Sequence, residues 1–75
     1  MFSKDQIKWR CRRGVLELDV ILTRFLEQKY DNLNENELKN FYALLELPDP
    51  LLQQWLIYGE TPDGAYKKIV ELILS

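Results

Sequence analysis

Seventy-five residues with one cysteine, no histidine, two serines and a formal charge of −2 exclude much of catalytic chemistry at once. Histidine-based triads and imidazole general bases are absent. One cysteine without histidine can build neither the usual N/S zinc site nor a disulfide framework within one chain. Three scattered glycines leave no Gly-rich loop to cradle a nucleotide phosphate.

A chain of this length is expected to form one domain over residues 1–75, with a small core. Composition therefore favours a binding or assembly module over an enzyme. No stretch approaches the roughly 20 apolar residues of a membrane span. Met1 to Gly14 is charged and lacks the apolar centre of a signal peptide. The unpaired thiol fits a reducing compartment, so a cytosolic setting is expected.

Charge distribution says more than net charge. Residues 1–13 carry Lys4, Lys8, Arg10, Arg12 and Arg13 against Asp5 alone, a charge of +4. Residues 14–75 carry five basic and eleven acidic side chains, a charge of −6. A basic head on an acidic body is thus written into the chain. The isoelectric point near 5.0 argues against general nucleic-acid binding.

In chain order, every segment reads as helix or turn. A first helix is predicted over about Lys4 to Arg12, with Ile7 and Cys11 four apart. Gly14 interrupts it, either as a C-terminal cap with positive φ or as a point of close approach. Val15 to Tyr30 is the clearest helix: Leu18, Ile21, Leu22, Phe25 and Leu26 recur at helical spacing, and Leu16 and Val20 widen the stripe. Asp31-Asn32 ends it. Asn34 with Glu37 reads as a capping box that opens a third helix to Glu46, with Leu38, Phe41, Tyr42 and Leu45 on one face.

Leu47-Pro48-Asp49-Pro50 is the sharpest punctuation. Asp49 reads as a cap and Pro50 as the first residue of a fourth helix to Tyr58, whose apolar set is Leu51, Leu52, Trp55 and Leu56. Gly59 stops it. After Thr61-Pro62-Asp63 a fifth helix runs to Leu74, carrying Tyr66, Ile69, Val70 and Ile73. The expected architecture is all-α, a small compact five-helix bundle with short connections.

One stretch breaks local preference, Arg10 to Asp19. Helix N-termini favour acids, because the macrodipole places partial positive charge there. Three arginines crowd this one. Arg13 and Glu17 are four apart and would share a face on a continuous helix, arginine first being the weaker order. The pair reads either as a solvated salt bridge or as a partner-docking or anion-reading surface, since arginine forks suit carboxylate and phosphate. Trp9 reads as partial core or as a stacking platform. Trp55 reads as core, and Cys11 as a small buried apolar residue. No carboxylate pair is spaced for acid/base work.

Trp9-Arg10-Cys11-Arg12-Arg13-Gly14-Val15-Leu16-Glu17-Leu18-Asp19 resembles the RGxxE region of the succinate dehydrogenase flavinylation (assembly) factors. Phe25-Leu26-Glu27 through Tyr30-Asp31-Asn32-Leu33 is similar to the family's next segment. Leu44 to Pro50, then Trp55-Leu56, is similar to its LLxxxDPxLxxWL stretch. The ordered matches cover roughly residues 7–60, and the motif itself shows no departure.

The resemblance implies a small five-helix accessory protein that is not itself an enzyme. It implies transient binding to the flavoprotein subunit of succinate dehydrogenase, and in some bacteria of fumarate reductase. It also implies promotion of covalent FAD attachment to a histidine of that subunit. The family's motif falls on Arg13, Gly14 and Glu17, with Arg12, Trp9 and Asp19 in matched flanking positions. No catalytic residue, metal or stably bound cofactor is expected in this chain, FAD being the partner's. A monomer in a bacterial cytoplasm is the expected state. The alternative is a nucleic-acid-linked or antitoxin-like regulator built on the basic head, against which the acidic body counts.

Overall fold

The computed structural model describes residues 3–75. Five α-helices follow in order: α1 Lys4–Arg10, α2 Leu16–Gln28, α3 Glu35–Leu45, α4 Asp49–Leu56 and α5 Lys67–Leu74. Short 3-10 turns over Tyr30–Asn32 and Gly64–Tyr66 lead into α3 and α5. No strand occurs among the described residues.

Local chemistry explains most boundaries. Ser3 caps α1 in a capping box: its Oγ accepts from the Gln6 N–H at 3.3 Å, and Gln6 Oε1 accepts from the Ser3 N–H at 2.9 Å. Asn34 and Glu37 form the predicted second box at the start of α3, at 2.8 and 2.9 Å. Gly59 takes φ +74°, a conformation that side chains disfavour, and the Glu60 N–H returns to the Gln54 carbonyl at 2.9 Å to close the turn after α4.

The differences from the sequence reading are informative. The first helix stops at Arg10, with Cys11 as its cap, two residues short of expectation. The second ends at Gln28, and Tyr30 falls in the 3-10 turn. Tyr66 likewise lies in the turn before α5. Asp49 is the first residue of α4 and Pro48 is its cap, so Pro50 stands second. Leu16 and Val20, placed on the apolar stripe by spacing, are 78% and 46% exposed. The buried stripe of α2 is Leu18, Leu22, Phe25 and Leu26, too narrow to include them.

Phe41 of α3 is fully buried and meets Phe25 at 5.1 Å between ring centroids and Tyr30 at 6.1 Å. Ile7 and Cys11 bring α1 onto this core, and Leu52, Trp55, Ile69 and Val70 complete it from α4 and α5. Trp55 is core, as its spacing implied, and packs on Tyr66 at 5.5 Å. Lys29 Nζ donates to the Leu72 and Ser75 carbonyls at 3.1 and 2.6 Å, tying the end of α2 to the end of α5. The radius of gyration is 11.2 Å, matching the roughly 11 Å of a folded chain this long.

Candidate functional site

The six residues of the predicted site lie in and beside the α1–α2 connection and divide by exposure: Arg13 and Asp19 are partly buried, while Trp9, Arg12, Gly14 and Glu17 are exposed. Gly14 makes the bend, at φ +81°, with open space where a Cβ would stand. Because the chain turns here, Arg13 and Glu17 do not lie on one continuous helix, and the expected pair between them does not form.

Arg13 turns inward. Its side chain is 15% exposed, and Nε donates to Asp49 Oδ1 at 2.7 Å. Nη1 donates to the Leu45 carbonyl at 2.6 Å and to the Arg10 carbonyl at 3.4 Å, and Nη2 donates to the Leu47 carbonyl at 2.6 Å. The guanidinium therefore sits at the C-terminal end of α3, where carbonyls point outward and a cation is favoured. The apparent violation at the start of α2 disappears: Glu17 and Asp19 occupy its first turn, and the arginine serves a different helix end. Asp19 Oδ1 accepts from the Arg13 backbone N–H at 2.5 Å, which pins the loop from the α2 side.

The second group faces solvent. Glu17 is exposed and makes no hydrogen bond or ion pair among the described residues. Arg12 is exposed as well. Trp9 is 74% exposed, which corrects its reading as partial core: α1 buries only Ile7, and Trp9 lies on the opposite side of that short helix. Two grooves run beside Trp9 and Arg12, and Glu17 lines neither. One is lined by Asp5, Lys8, Trp9, Arg12 and Thr23, and the other continues from Arg12 and Thr23 along Asp19, Val20 and Arg24. Both open to solvent.

Cys11 lies fully buried behind the loop. Burial pushes its thiol up to about 11; the charge of Arg13 opposes this and that of Asp19 adds to it. It is therefore a protonated packing group at neutral pH, not a nucleophile. No cluster of metal-ligating side chains occurs among the described residues, and no helix there is long and apolar enough to cross a membrane.

Three of the five basic side chains of the head pair with acids of the body. Lys4 pairs with Asp31 at 3.4 Å, Arg10 with Glu46, and Arg13 with Asp49. Sequence reasoning missed Asp49, which it read only as a cap. No local pattern signals a contact between positions 36 apart.

A family model described as flavinator of succinate dehydrogenase matches residues 5–75. The chain is similar to the FAD assembly factor SdhE of Coxiella burnetii, at 49% identity over 72 residues, 95% of this chain and 88% of that protein. It is similar to the proteins of the same name from Legionella pneumophila, at 44% over 71 residues (95% and 90%), and Pectobacterium atrosepticum, at 43% over 72 (95% and 82%). With its motif loop and all five helices inside the matched span or at its edge, the chain belongs to the family of flavinators of succinate dehydrogenase.

Proposed function

We propose that this chain is an assembly factor that binds the flavoprotein subunit of succinate dehydrogenase and promotes covalent attachment of FAD to a histidine of that subunit. The observation that carries the reading is the family match over residues 5–75, which contains the whole of the Trp9–Asp19 region. The factor is accessory. It acts by holding the partner's histidine and flavin in attack geometry, a contribution of positioning that needs no bond-making group of its own.

The exposed members of the motif region are suited to that task. Glu17 and Arg12 offer charges of opposite sign, and Trp9, Leu16 and Val20 offer apolar surface around them. Gly14, with open space beside its Cα, lets a partner backbone approach closely. Arg13 and Asp19 support this surface from behind. FAD belongs to the partner, and the open grooves of this chain favour a transient protein contact over stable flavin binding. The factor works as a monomer in the bacterial cytoplasm. The pairing of Lys4, Arg10 and Arg13 with acids, on a chain with an isoelectric point near 5.0, weighs against the nucleic-acid reading.

The test is in-gel flavin fluorescence of denatured extracts from cells lacking the wild-type copy and supplied with this chain or a variant. Restored covalent flavin on the partner with the wild-type chain, and loss with Glu17→Ala at equal protein level, is the expected result. Undiminished flavin with Glu17→Ala overturns the site. The same gel, read at the fumarate reductase flavoprotein, decides whether it is also a client.

A further inference from the structure

From Arg13 to Val15 the loop between α1 and α2 has little local support. Its glycine sits at positive φ, and the helix that follows has Val15 as its cap, with no side-chain capping bond. Its start is held by the buried Cys11 and by the Cys11 and Arg12 N–H groups, which donate to the Ile7 and Trp9 carbonyls at 3.0 and 3.1 Å; beyond Arg12, two interactions fix it. One is local, from the Arg13 N–H to Asp19. The other is the guanidinium of Arg13, held across the molecule by Asp49 and the Leu45 and Leu47 carbonyls.

We propose that Asp49 is a positioning residue for the docking surface: acting through Arg13, it clamps the Gly14 loop onto the α3–α4 turn and thereby sets how Glu17 and its exposed neighbours are presented to the partner. Its functional consequence rests on the reading above. Its structural content does not.

Three features support the assignment. The guanidinium is a rigid planar fork, and its Nε and both terminal nitrogens are bonded at once, so its orientation is determined rather than sampled. The two carbonyls are main-chain groups at the end of α3, so Asp49 is the charged partner through which a side-chain change can loosen the clamp. Asp49 is the first residue of α4, after its Pro48 cap, and its carboxylate accepts from Arg13 Nε, so it faces the motif loop.

The experiment uses the full chain, purified as wild type, Asp49→Asn, Asp49→Ala, Glu17→Gln and Ile73→Val. The last is a control for stability, because Ile73 lies in the core on α5, away from the loop. Each is titrated into the purified flavoprotein subunit with FAD, and covalent flavin is followed by in-gel fluorescence. Amide NMR spectra of the free chains are recorded in parallel.

The expected result is a rise in the half-maximal concentration of about tenfold for Asp49→Ala, within the range that such contact networks couple, and a smaller rise for Asp49→Asn, which keeps an acceptor oxygen. The plateau rate is retained. The Arg13, Gly14 and Glu17 amides shift, while those of α5 stay in place. Ile73→Val, matched for melting temperature with the Asn variant, leaves the half-maximal concentration unchanged. A rise of less than about threefold for Asp49→Ala, or an equal rise for Ile73→Val, overturns the proposal. Unmoved loop amides in either Asp49 variant overturn it as well, whatever the assay shows. If instead the wild-type chain promotes no flavin attachment, the functional reading fails, and if Glu17→Gln is silent, the site fails; in both cases the amide shifts still decide whether Asp49 positions the loop.

Discussion

Arg13 and Asp49 stand 36 residues apart in sequence and 2.7 Å apart in space, Nε to Oδ1. Their contact joins the first interhelical loop to the third. The same guanidinium reaches carbonyls at the ends of α1 and α3, so one side chain gathers three chain segments. Arg13→Ala would leave the Leu45 and Leu47 carbonyls and Asp49 without this donor. The expected loss is about 2–3 kcal/mol, given that these are charge-assisted bonds at a partly buried site. Circular dichroism melting should show a fall of roughly 10–20 °C.

Glu17 has the opposite profile. It is exposed and unpaired among the described residues. Glu17→Gln should change stability by less than about 0.5 kcal/mol in urea denaturation. Covalent flavin on the partner should nevertheless fall sharply. Separation of the two readouts is the expected signature of a contact residue, and a parallel loss of both would place Glu17 in the fold instead.

Gly14 divides backbone cost from surface cost. At φ +81°, Gly14→Ala should lose about 1–2 kcal/mol from the left-handed conformation alone, because nothing lies within 4 Å of the added Cβ. Gly14→Arg meets the same backbone penalty, since the longer side chain extends into open space. Equal melting temperatures for the two variants, with flavin attachment much lower for arginine, are expected in paired melting and fluorescence measurements.

The buried thiol makes stability depend on alkaline pH. The Cys11 pKa rises on folding from 9.0 to about 11, mainly through burial, so the folded state holds the proton more tightly than the unfolded one. The contribution is fully present below pH 9 and declines between pH 9 and 11, by about 2 kcal/mol in all. Tyr30 adds the same sign at higher pH, pushed from 10.0 to about 12 by burial and by its hydrogen bond with Tyr42, 2.8 Å between hydroxyls. Urea midpoints should be flat from pH 7 to 8.5 and should fall above it. Cys11→Ala should flatten the first part of that fall. The thiol should react with a disulfide reagent only as fast as the chain opens.

Much of this molecule is legible from one-dimensional pattern. The periodicity of Leu18, Leu22, Phe25 and Leu26, the Asn34–Glu37 box and the Leu47–Pro50 punctuation specify helices and turns, because 3.6-residue spacing and capping are properties of neighbouring positions. The Trp9–Asp19 segment was legible as the candidate site for the same reason. Its order of residues is local, and that order also carries the family resemblance.

Direction was not legible. Periodicity gives a face, but not how wide the core is, so Leu16 and Val20 were counted inside and stand outside. It also could not show that α1 buries one side chain within its span and leaves Trp9 in solvent. The charge pattern was misleading in a similar way. The sequence separates a +4 head from a −6 body, yet folding sets Lys4, Arg10 and Arg13 against Asp31, Glu46 and Asp49. Sequence alone thus determined the helices, their approximate extents and the identity of the motif, all matters of short spacing, while several ends shifted by one to three residues. Only the tertiary structure decided which motif residue faces inward and which stays exposed, because an arginine's partners are fixed by distance in space, and the carboxylate that meets the Arg13 guanidinium comes from Asp49, two helices further along the chain.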